Sequence, residues 1–185
     1  MPGTAELARA AQAAFELARA QPDIREVEVF VAANGTLLTR LNYTSHIPCN
    51  GVEEPKSVES YGIGVQIVLD GPGGPRLGFG SEPSDLGAAG AERALAKARQ
   101  AAVADPEFVS LPRPGGQTRT LVDYDDPELM TIDDDRLVEC GWTIVNGALR
   151  TFLASSRLAG LAGSDAALRA LGLIVGGDVT ILQER

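Results

Sequence analysis

The sequence predicts an α/β (α+β) fold: an α-β-β-β-β-α unit of antiparallel hairpins packed on helices, followed by a helical segment and a terminal strand. An alanine-rich stretch near the start places apolar residues at helical spacing, later stretches alternate apolar and polar residues, and Pro/Gly-rich segments separate them. The chain has 185 residues, 44% apolar and 22% charged, which is enough for one ordinary domain, or a domain plus an appendage, with its own core.

Residues 5–20 form the first predicted helix, with Leu7, Ala11, Ala14, Phe15 and Ala18 on one face. Thr4 is the expected cap, and Pro22 follows the helix end. Residues 26–32 alternate Val27, Val29 and Val31 with polar or outward positions, as a half-buried strand does. Asn34-Gly35 then suits the positive φ of a tight turn, so Thr36 to Asn42 is expected to return as the second strand of a hairpin. A long polar connection, 43–57, carries Pro48, Asn50-Gly51 and Pro55, the single histidine His46, and Cys49.

Alternation resumes over 58–69, with Tyr61, Ile63, Val65, Ile67 and Leu69 on one side. The run from Asp70 to Pro75 is a turn, and Arg76 to Ser81 returns as a second hairpin. Glycines at 62, 64, 78 and 80 alternate with the apolar residues and suggest one nearly bare face. Such a face suits a closely packed helix, or an extended peptide or second chain. Ser84 is the expected cap of a second helix over 85–103, with Leu86, Ala94, Leu95, Ala98 and Ala102 as its stripe. Pro106, Pro112, Pro114, Gly115 and Gly116 make 105–120 a linker or surface strap.

The expected organisation is therefore a domain over 1–112, a linker over 113–130, and a helical segment and strand over 131–185. Thr131 with Asp134 reads as the start of a long helix whose face carries Leu137, Cys140, Ile144, Ala148 and Phe152. Cys140 is expected to be a small buried core residue. Ser164 would cap a short helix ending near Leu171-Gly172. Residues 173–183 read as a strand pair around Gly176-Gly177, or as one strand entering a further sheet. The chain ends at Arg185, soon after the strand-like run Val179-Thr180-Ile181-Leu182, which suggests that the strand's pairing partner is missing.

The net charge is −9, from 25 acidic and 16 basic residues, which favours solubility and argues against nucleic acid as a partner, because phosphate binding rests on Lys and Arg. No apolar run reaches the length of a membrane span, so no membrane partner is expected. Met1-Pro2-Gly3-Thr4 has neither a basic region nor an apolar signal core, and the two cysteines lack ligand spacing. A cytoplasmic protein with free thiols is the expectation.

Candidate chemistry is sparse. With His46 as the sole histidine, one copy of the chain cannot build a zinc site that needs two. A Cys49/His46 nucleophile pair is conceivable from their spacing, as is a plain loop role for both. Asp123, Asp125 and Asp126, with Asp133, Asp134 and Asp135, lack the calcium-loop pattern and suit a solvated acidic face or a helix start. The glycine-rich turn at 71–74 lacks the Gly-Lys-Ser/Thr ending of a phosphate loop. No catalytic, cofactor-binding or metal-binding residue is assigned to this chain.

Several stretches, in order and spacing, resemble the N-terminal domain of the TldD/PmbA family, also called modulators of DNA gyrase. They are Glu26-Val27-Glu28-Val29-Phe30-Val31, Leu38-Thr39-Arg40-Leu41-Asn42 and Gly62-Ile63-Gly64-Val65-Gln66-Ile67-Val68-Leu69-Asp70-Gly71. Gly78-Phe79-Gly80-Ser81 with Asp85-Leu86, and Asp105-Pro106-Glu107-Phe108 with Leu111-Pro112, complete the set. The resemblance covers 24–112 well and the rest loosely, and the long loop 43–57 departs from the family pattern.

The resemblance implies a zinc-dependent peptidase, often a dimer, acting on peptides or unfolded chains. Its zinc would be held by a His-Glu-x-x-x-His helix in the following domain, a motif absent here; some members lack it and serve as partner subunits. The expected role is thus a non-catalytic N-terminal domain that supports substrate enclosure or homo- or heterodimer assembly, with no peptidase activity alone. The alternative is a freestanding peptide-binding or assembly module, with an edge strand accepting a peptide.

Overall fold

The computed structural model describes residues 1–47, 50–113, 115, 126–161, 167 and 170–185. A five-stranded sheet has the order β4-β3-β2-β1-β5, built from β1 (Ile24–Thr44), β2 (Lys56–Gly71), β3 (Gly74–Pro83), β4 (Val103–Ala104) and β5 (Ile174–Glu184). The helices are α1 (Thr4–Arg19), α2 (Ala88–Ala101) and α3 (Asp134–Ser155). The expected α/β class holds, with antiparallel strand pairs and helices packed on them, a later helical segment and a terminal strand. Contacts divide the chain into two units: Met1–Gly35 with Glu59–Val122 and Glu184–Arg185, and Thr36–Val58 with Asp123–Gln183.

In the first unit, α1 buries Leu7, Ala10, Ala14 and Ala18. α2 buries Ala91, Ala94, Leu95 and Ala98, and Ala102 just beyond it is buried too. Methyl-sized side chains let both helices lie close to the strands, where Ile63, Val65 and Ile67 complete the core. The caps differ from expectation. Gly3, not Thr4, precedes α1, and Gly87, not Ser84, precedes α2. Ser84 instead has φ 62° and donates its backbone N–H to Tyr61 O, so it turns the chain before the helix.

The second hairpin forms as expected. β2 and β3 pair antiparallel, from Gly62 opposite Pro83 to Gly71 opposite Gly74, where Gly74 takes φ 111°. This register corrects the expectation of one bare glycine face. Val65 lies opposite Gly80 and Ile67 opposite Gly78, so these two glycines share the core face. α2 packs directly over them: a Cβ at Gly78 would run into Ala98 O, and one at Gly80 into Ala94 O. Gly64 lies on the opposite face, where a Cβ would sit 3.2 Å from the Phe79 ring.

The first expected hairpin does not form. Asn34 and Gly35 sit inside one continuous 21-residue strand, β1. Among the described residues, positive φ occurs at Ser84, Gly74, Gly172 and Gly177, and not at the Asn-Gly pair. β1 is flanked by β2 on one side and β5 on the other. Ala33 exchanges both backbone hydrogen bonds with Arg185, at 2.9 and 2.8 Å. A strand bonded on both sides outweighs a local preference for a turn.

In the second unit, the expected cap at Thr131 is also displaced. Thr131 ends a short 3₁₀ turn (Leu129–Thr131), and Asp133 caps α3 by accepting the Arg136 N–H at 2.9 Å. The buried face of α3 is Leu137, Gly141 and Val145. It is rotated from the expected one: Ile144 is 47% exposed, Ala148 is exposed, and Cys140 is half-buried rather than a core residue. Gly141 draws the helix against the strands, since a Cβ there would lie 2.8 Å from Val52 Cγ1 and 3.1 Å from Leu41 Cδ2.

The terminal segment is one strand, not a pair, and it has its partner within this chain. Arg40 on β1 pairs with Asp178 on β5 at 3.5 Å, and Ser45 N–H donates to Leu173 O. The expected short helix after Ser164, including that cap, lies largely outside the described residues, as do Cys49, Asp123 and Asp125.

Candidate functional site

Among the described residues of the first unit, a groove of about 910 Å³ runs along the first part of β1. α1 supplies Ala8, Ala11 and Phe15, β1 supplies Ile24 through Val29, and Leu111-Pro112-Arg113 closes the far side. The helix repeat explains the α1 wall. Ala10, Ala14 and Ala18 turn into the core, which leaves the adjoining flank with Ala11 and Phe15 partly uncovered.

The 105–113 strap is held in place by polar contacts. The Leu111 N–H donates to the Glu26 carboxylate at 2.7 Å, and Leu111 is only 8% exposed. The Arg25 guanidinium lies 5.8 Å from the centre of the Phe108 ring and 3.4 Å from Asp70. Asp105 accepts the Glu107 N–H at 3.1 Å. The groove is thus lined by apolar side chains together with Arg19, Arg25, Arg113, Glu26 and Glu28. Among its described lining residues there is no histidine, cysteine or hydroxyl side chain to act as nucleophile or base.

A charged cluster braces the rear of the same unit. Glu82 accepts from Lys97 at 2.6 Å and from Arg93 at 2.8 Å, and Arg93 also pairs with Asp85. Lys97, then Arg93, hold the Glu82 carboxyl below its ordinary range. The Gly87 N–H, then Arg93, do the same for Asp85. Arg99 pairs with Asp23, linking the end of α2 to the start of β1, and lowers the Asp23 carboxyl. Arg93 and Lys97 tie α2 to the end of β3, and Asp85 also lines a second cavity of about 770 Å³ with Glu6, Arg9 and Glu59.

Those residues singled out from sequence that the structure describes gather at no common metal site. His46 is exposed beside Gly172, where a Cβ would lie 3.6 Å from His46 Nδ1; its proposed partner Cys49 is outside the described residues. Cys140 lines a shallow depression on α3 with Arg136, Trp142 and Ile144. Asp126 accepts the Glu128 N–H at 3.0 Å, and Asp133 is a helix cap, so both serve local backbone. Among the described residues, no three His, Cys, Asp or Glu side chains gather as a metal site would require. No described helix is long and apolar enough to cross a membrane.

The sequence reading did not anticipate the groove. Phe15, expected on the buried face of the first helix, is instead partly uncovered and lines the groove with Leu111 and Pro112.

An antiparallel sheet carrying two alanine-rich helices and a strapped groove defines a domain of the α/β class. Its fold has a counterpart among solved structures in TldE from Thermococcus kodakarensis, with a TM-score of 0.54 and 18% sequence identity. The match covers 93% of this chain and 38% of that chain, so this chain spans well under half the length of the solved protein. The likeness is one of fold, in keeping with the resemblance of the sequence to the N-terminal domain of the TldD/PmbA family. No family model matches the sequence, and no curated protein matches it.

Proposed function

We propose that this chain acts as a non-catalytic, N-terminal-type domain of a cytoplasmic, TldD/PmbA-like zinc metallopeptidase working on peptides or unfolded chains. Its part is to support substrate enclosure or the assembly of a homo- or heterodimer. The observation that carries this reading is the fold shared with part of TldE over 93% of the chain.

The residues present do not fit the family's zinc site, because a His-Glu-x-x-x-His helix needs two histidines and the chain has one. Any zinc chemistry belongs to another part of the protein or to a partner subunit. The acidic balance, −9, makes direct nucleic-acid contact an unfavourable role.

The test is to purify the 185-residue chain, add zinc, and measure cleavage of an unfolded protein with and without EDTA. No cleavage is expected from the chain alone. Mixing it with a subunit that carries the zinc motif should give a complex on size-exclusion chromatography. EDTA-sensitive cleavage by the chain alone, or failure to associate with any such subunit, would overturn the proposal.

A second reading, a freestanding peptide-binding module, is favoured by the groove along β1 with its apolar lining and strap. Titrating an unfolded peptide while following amide resonances separates the two. This reading expects saturable shifts at Phe15, Val27, Val29 and Leu111 without any partner subunit. Unchanged spectra at millimolar peptide would remove it and leave the first reading standing.

A further inference from the structure

We draw no further inference here: the strongest candidate outside the groove, the outer sheet face of the first unit where Phe30 on β1 and Phe79 on β3 are 70% and 57% exposed, carries nothing because nothing in the structure shows what covers it.

Discussion

The backbone N–H of Leu111 donates to the carboxylate of Glu26 across 85 residues of sequence, at 2.7 Å. This contact ties the strap after α2 to the start of β1. Leu111 itself is buried, so the bond holds an apolar side chain in place as well as satisfying an amide. Glu26→Ala removes the acceptor and leaves that amide without it. The expected loss of stability is about 1–2 kcal/mol, since hydrogen bonds to charged groups contribute ~1.5–3 kcal/mol and this one is only partly buried. Urea denaturation measures the loss, and hydrogen exchange should quicken over 107–111 while α2 stays protected. Unchanged exchange in the strap would show that the contact does not anchor it.

The approach of α2 to Gly78 and Gly80 leaves no room for a methyl group. At both positions a Cβ meets helix backbone oxygen, which cannot rotate away. Gly80→Ala is expected to destabilise the chain by about 2–3 kcal/mol, toward the upper end for overpacking in a closed core. Gly73→Ala is the control, since nothing lies within 4 Å of a Cβ there. It should change stability by less than about 0.5 kcal/mol, as open surface substitutions do. Equal midpoints for the two variants would mean that α2 does not rest on β3 as described.

Acid should weaken the bracing cluster in a definite direction. Glu82, Asp85 and Asp23 all have lowered folded-state values, against ordinary values of 4.5 for Glu82 and 3.8 for the two aspartates. A lowered folded value means that the unfolded chain takes up protons first. The stabilisation is therefore present above the ordinary values and is lost as pH falls through the lowered ones. Thermal midpoints should hold from neutral pH to about pH 5 and drop below about pH 4, where the unfolded carboxylates titrate. Glu82→Gln should reduce this cluster's share of the drop, and added salt should do so as well, because the groups are partly open to solvent. A variant profile parallel to the parent's would exclude Glu82 from the effect.

Trp142 packs on the loop that joins β1 to β2. Its ring covers Gly51, where a Cβ would overlap the six-membered ring, and it stands edge-on to Tyr43 with centroids 6.5 Å apart. It is the single tryptophan of the sequence, so its fluorescence reports on the second unit. Gly51→Ala should displace the ring and shift its emission to the red. Trp142→Ala should cost about 2 kcal/mol, less than the ~3–5 kcal/mol for deleting a fully buried aromatic, because Trp142 is 38% exposed. An unaltered emission spectrum in Gly51→Ala would argue against this stacking.

Periodicity alone located the helices, because an alanine face at three- and four-residue spacing has few other ways to be buried. Ala94, Leu95, Ala98 and Ala102 were legible as the α2 stripe and are buried. The β2–β3 hairpin was legible too, since its Pro/Gly turn has no competing pairing. The exact face of α3 was not. Sequence spacing allows either Cys140-Ile144 or Gly141-Val145 inward, and the packing of Gly141 on Leu41 and Val52 selects the second. The groove was still less visible, because Phe15, Val29 and Leu111 meet only after the chain has folded.

What the sequence determined by itself is the class of fold, the helix and strand stretches set by apolar period, and the lack of a second histidine for a zinc helix. Only the tertiary structure decided that Asn34-Gly35 continues a strand, that Gly78 and Gly80 lie beneath a helix, and that Leu111 is tied to Glu26. Local preferences differ by about 1 kcal/mol, and backbone bonds from two neighbouring strands together with close core packing exceed that.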